Sequence, residues 1–79
     1  MNYDEEKVDD TVLALLYLTS SSEHGIVRAW RGQPWEVLDR LHAKGWISDP
    51  KSKAKSVALT SEAAKRSEKL FKEMFGTIS

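Results

Sequence analysis

The chain has 79 residues, 41% hydrophobic and 30% charged, with twelve Lys and Arg against twelve Asp and Glu. That describes one domain with a small core, too polar for a membrane protein and too apolar for wholesale disorder. The absence of cysteine excludes a disulfide framework and a thiolate site, and fits a reducing cytosol.

The longest apolar run, Val12 to Leu18, is seven residues, against the ~20 that a membrane span needs. The N-terminal stretch MNYDEEKVDD is acidic where a signal peptide would be basic. A cytoplasmic protein is the expectation. Charge is unevenly spread: residues 1–10 hold five acids and one lysine, while residues 44–55 hold four lysines and one aspartate. Such asymmetry can orient a partner, although two solvated surfaces would have the same composition.

The first helix is expected from an Asn2 cap with Glu5 three residues on, and runs to about Leu18. Asp4, Glu5 and Glu6 sit where the helix dipole favours negative charge. Val8, Val12, Leu15 and Leu16 form one stripe, widened by Leu13, Tyr17, Ala14 and Leu18, so this helix is central to the core. An alternative leaves Leu13 and Tyr17 for another subunit. Thr19 to Gly25, TSSSEHG, reads as a polar linker.

Ile26 to Trp30, IVRAW, reads as a short strand able to pair with Val57–Leu59. Arg31-Gly32 turns the chain. Pro34 opens a second helix that ends near Lys44, with Val37, Leu38 and Leu41 inward and Glu36, Asp39, Arg40 and Lys44 outward. Trp35 stands at its entrance, within reach of Trp30. Gly45 stops the helix, and Trp46-Ile47 open an extended segment. Asp49-Pro50 turns it, and Lys51, Lys53 and Lys55 crowd the tip of the loop. Val57 and Leu59 return as a strand. Thr60 caps a last helix, with Ala64, Ser67, Leu70, Phe71, Met74 and Phe75 on one stripe and Gly76 at its end.

The run LDRLHAKGWISDP…KSVALTSEAAKRSEKLF resembles the second half of bacterial winged-helix regulators, in which a helix ends in glycine, a wing follows and Leu-Thr opens a closing helix. Over residues 7–75 the chain also resembles a family of small bacterial proteins of unknown function. KVDDTVLALLYLT, RAW, Trp35 with LDRLHAKG and Asp49-Pro50, and KAKSV with Leu59-Thr60 carry that likeness. The resemblance implies a fold and brings no activity. A complete helix-turn-helix has a further helix before the recognition helix. Only Thr19 to Gln33 is available for it here, so the DNA-reading motif is expected to be truncated.

Enzymatic constellations are thin. His24 and His42 are 18 residues apart, with no spacing that makes a zinc site. His42 reads as a half-buried packing residue. Asp9 and Asp10 are neighbours and point to different sides of a helix, so they are no acid–base pair. No phosphate-cradling glycine loop or nucleophile motif occurs. The expectation is a non-enzymatic protein with no cofactor, no metal, no small-molecule substrate and no membrane partner.

Two surfaces remain. Arg28, Trp30, Arg31 and Trp35 hold the residue types richest in interface hot spots, although the three tryptophans could equally be core. They favour protein–protein binding, by self-association or to a larger partner. Lys51, Lys53 and Lys55, with Arg40, make a candidate nucleic-acid wing, the less favoured alternative of a DNA-binding regulator or accessory protein. The whole is expected to be a single α+β, winged-helix-like domain over residues 1–79. Its order is helix, strand, helix, strand, wing, strand, helix, with two or three antiparallel strands.

Overall fold

A computed structural model describes residues 2–77. Helix α1 (Glu5–Leu16) is capped by Asp4, whose carboxylate accepts the Lys7 N–H at 3.2 Å. The cap is thus not Asn2; Asp4 lies three residues before a free helical N–H and adds a negative charge at the positive end of the dipole. A single 3-10 turn, Tyr17–Thr19, finishes the helix. There the Ser20 N–H and Oγ both donate to the Tyr17 carbonyl, at 3.1 and 2.7 Å.

Part of the expected linker is sheet. Strand β1 (Ser21–Glu23) pairs antiparallel with β2 (Ile26–Trp30) across the two-residue turn His24-Gly25. Both turn residues have positive φ, 52° and 79°. Two such residues give the backbone twist that a tight hairpin needs. Every residue of β1 is exposed, so it carries no apolar alternation by which to be recognised.

Helix α2 (Trp35–Ala43) follows Pro34, which occupies the cap position. Gly45 ends it at φ +77°, a conformation that costs an L side chain about 1–2 kcal/mol. Strand β3 (Ser56–Leu59) pairs with β2 in register Val27↔Leu59 through Trp30↔Ser56. The sheet order is β1-β2-β3, all antiparallel. The expected Trp46-Ile47 strand lies beside β3 but is reduced to one bridge, Ile47↔Leu59. The Ser48 Oγ accepts the Ala58 N–H at 2.9 Å, taking the place of a ladder carbonyl, and Asp49-Pro50 then turns the chain away. Helix α3 (Ser61–Phe75) is capped as expected, Thr60 Oγ1 accepting from the Ala63 N–H at 3.1 Å.

The three helices with a three-stranded antiparallel sheet make a small α+β domain. Its core is aliphatic. Leu13, Leu16, Leu38, Leu41 and Val57 are fully buried, with Val12, Val37, Ile47, Ala29, Leu59 and Ala63 around them. At roughly 2 kcal/mol per buried aliphatic side chain this cluster is the main source of stability. Leu13 lies inside it, so it is no subunit contact. Among the described residues no helix is long and apolar enough to cross a membrane.

Ion pairs from α1 reach both other helices. Asp10 pairs with Arg66 of α3 at 3.2 Å. Asp9, on the side facing α2, is buried and accepts from Arg40 Nε at 2.7 Å and Lys44 Nζ at 3.0 Å. Glu5 and Glu6 extend the cluster to Arg40 and Lys44 at 3.1 and 3.2 Å. Arg40 and Lys44 therefore turn towards α1 rather than outward, because a buried carboxylate needs charged partners.

Candidate interaction surface

In β2 the side chains alternate. Ala29 enters the core, while Ile26 and Trp30 stand on the opposite, open face of the sheet with Arg28 between them. Ile26 is 51% exposed and Trp30 57%. Arg28 lies across the sheet, its Nε donating to Ser56 Oγ at 2.8 Å and its Nη2 to the Ser56 carbonyl at 3.0 Å. The Trp30 ring covers Gly32, where any added methyl would collide with it. Trp35, the first residue of α2, is 52% exposed. Trp30 and Trp35 do not stack as expected: Trp35 instead carries the Arg31 guanidinium, 5.4 Å from its ring centre.

Arg31 joins the two sets of candidate residues. Its N–H donates to the Lys55 carbonyl at 3.2 Å. Its Nη1 donates to the Pro50 and Ser52 carbonyls, both at 2.6 Å. The loop of residues 49–55 is thereby held over a buried Pro50. Asp49 adds an N–H acceptor for Lys51 at 2.9 Å. Lys51, Lys53 and Lys55 remain exposed. Lys55 and Trp30 share the lining of one shallow cavity of about 280 Å³, with Arg28 and Glu23. Trp30 and Lys55 thus share one surface.

Arg40 does not join it. Its guanidinium is committed to Asp9 and Glu5, and the hydrogen bond it donates to Asp9 raises its pKa above the usual arginine value. With Lys44 also turned inward, the charged side chains left outward on α2 are Glu36 and Asp39, both exposed. Trp46 is half-buried between Lys44 Nζ at 5.2 Å and Arg66 Cζ at 5.3 Å, so it braces the helices. His42 is exposed, not half-buried; its Nδ1 lies 3.0 Å from the Ile47 carbonyl, which ties α2 to the following turn. No group of three or more His, Asp or Glu is placed to hold a metal among the described residues.

Sequence reasoning passed over Ile26. Its spacing of two from Arg28 and four from Trp30 was the available signal, since alternate strand residues share a face.

A family described as Domain of unknown function (DUF6429) matches residues 4–77. The chain belongs to this family. It is 51% identical over 75 residues to the uncharacterized protein y4hR of Sinorhizobium fredii (strain NBRC 101917 / NGR234), covering 95% of this chain and 97% of the relative. The family and the relative's bacterial source agree with the resemblance drawn from KVDDTVLALLYLT and LDRLHAKG. No solved structure matches the chain. The family description assigns no activity, so a functional reading rests on the surface itself.

Proposed function

We propose that this protein is a non-enzymatic binding module that docks an acidic protein surface against the open face of its sheet. The observation that carries this reading is the position of Arg31. It sets two half-exposed tryptophans, Trp30 and Trp35, beside a loop bearing three exposed lysines. Tryptophan at the centre of an interface often contributes 2 kcal/mol or more. A surrounding positive charge mainly sets orientation and on-rate. The aliphatic core is complete without Trp30 and Trp35, which favours a partner for them.

The test uses the purified full chain in quantitative capture from a bacterial extract, followed by affinity measurement with the recovered protein. Trp30→Ala and Lys53→Glu should each weaken binding at least tenfold, ~1.4 kcal/mol, with an unchanged circular dichroism spectrum. Equal binding by both variants would remove the reading.

The lysine loop also favours a second reading, contact with DNA by a regulator or accessory protein. Three phosphate contacts give a salt slope of about −3. The acidic outer side of α2 weighs against base reading by that helix. Random duplex DNA that fails to bind at low salt would eliminate this alternative.

A further inference from the structure

Trp30 is more than half exposed, yet its ring has a fixed seat. Its N–H donates to Thr19 Oγ1 at 3.1 Å, and its backbone lies opposite Ser56 in the sheet. Just beyond it, the Gln33 N–H donates to the Arg31 carbonyl at 2.7 Å, closing a three-residue turn centred on Gly32. A methyl on Gly32 would meet the indole carbons Cζ2, Cη2 and Cζ3 at nearly equal distances. Equal approach to three adjacent ring carbons places it over the ring face rather than beyond the rim. Gly32 is not among the residues at positive φ, so its backbone would accept an L side chain. The close approach of the Trp30 ring is what glycine permits at this position.

With one ring face laid on Gly32, the exposure of Trp30 belongs to the other face. Trp30 borders the shallow cavity that Arg28, Lys55 and Glu23 also line. Arg28 uses Nε and Nη2 for Ser56. Neither Arg28 nor Lys55 forms an ion pair among the described residues. Two such cations against one acid, Glu23, suit the cavity to a carboxylate. A carboxylate held there would stand beside the Trp30 ring.

We infer that Gly32 is a positioning residue of this surface. By seating Trp30 it presents one set ring face beside Arg28 and Lys55, matched to an acidic segment that carries a flat side chain. The inference rests on the interaction reading above and sharpens its partner. A flat group stacks best on a ring whose plane is already set. A side chain at position 32 would push the ring aside at its far end, away from the aliphatic core. Substitution there therefore separates the direction of Trp30 from the stability of the fold.

Two glutamate-rich synthetic peptides test it on the full chain, one with a central tyrosine and one with alanine in its place. Wild type should bind the tyrosine peptide about tenfold more tightly, the difference an aromatic contact makes. Gly32→Ala should erase that preference, as Trp30→Ala does, while keeping the wild-type urea midpoint. The double variant W30A/G32A should match Trp30→Ala, because both changes act through one ring. In proton NMR of the free protein, a Gly32 Hα should be shifted upfield by the indole above it. That shift should vanish in Trp30→Ala, and the Trp30 ring protons should move in Gly32→Ala. A Gly32→Ala variant that keeps the preference, or that weakens Trp30→Ala further, overturns the proposal. So does an unshifted Gly32 Hα, and so does a wild type that binds both peptides alike. A wild type that binds neither peptide counts against the interaction reading, and the NMR signals then decide the role of Gly32 by themselves.

Discussion

Asp9 and Arg40 are 31 residues apart in sequence and meet at 2.7 Å, with the carboxylate out of solvent. Its neighbour Asp10 keeps a quarter of its side chain exposed against an exposed Arg66. The two aspartates should therefore behave differently when neutralised. Asp9→Asn is expected to cost about 1–3 kcal/mol, below the usual figure for breaking a buried pair because Arg40 and Lys44 still reach water. Asp10→Asn should cost no more than about 0.5 kcal/mol. Urea titration of both variants checks this, and equal losses would contradict the buried role of Asp9.

Lys44 supplies a pH prediction. Burial lowers its pKa, but the hydrogen bonds it donates to Asp9 and Glu6 outweigh that and hold it above the ordinary lysine value. A cation whose pKa is raised on folding stabilises fully below its unfolded pKa, and that share is lost as pH rises through the folded value. Thermal stability should thus be flat through neutrality and fall on the alkaline side. Part of that fall should be missing in Asp9→Asn, where Lys44 has lost its main partner. Identical alkaline limbs in the two proteins would count against the linkage.

Gly45 isolates a backbone effect. An added methyl there would meet nothing within 4 Å, so crowding does not contribute. Gly45→Ala should cost about 1–2 kcal/mol from positive φ alone, and Gly45→Asn less, since asparagine tolerates that region. Chemical denaturation of both variants measures the difference.

Ser67 ties α3 to α1. Its buried Oγ donates to the Leu13 carbonyl at 2.6 Å. Ser67→Ala should cost about 1 kcal/mol, the usual net worth of such a bond plus the stranded carbonyl. Ser67→Leu, which forces a large side chain between two packed helices, should cost about 1–3 kcal/mol or more. If the alanine variant is as stable as wild type, the bond contributes nothing net.

Much of this was legible from residue order. Thr60 caps α3, Gly45 ends α2, and Asp49-Pro50 turns the chain, because each effect acts within a few residues. The apolar spacing of Leu38 and Leu41 placed the inner side of α2. β1 was missed because Ser21, Ser22 and Glu23 have no buried side to set a period; its pairing depends on IVRAW five residues on. Arg40 and Lys44 were misplaced because a helical projection shows no neighbouring helix. Asp9 was the clue: a carboxylate one turn before Val12 and Leu13, on the side of α1 that is buried, calls for cations from elsewhere. Among the candidate surface residues, the role of Arg31 as a bridge depends on loop carbonyls that no side-chain pattern reveals.

Arg31 holds the 49–55 loop by two carbonyls and its own N–H while resting on Trp35. The ordering entropy of that loop is thus spent during folding rather than at the moment of contact. Preorganisation of this kind leaves more of the attraction of the lysines available as affinity. Loss of Arg31 would therefore weaken a complex through a slacker loop, even though its guanidinium is turned inward.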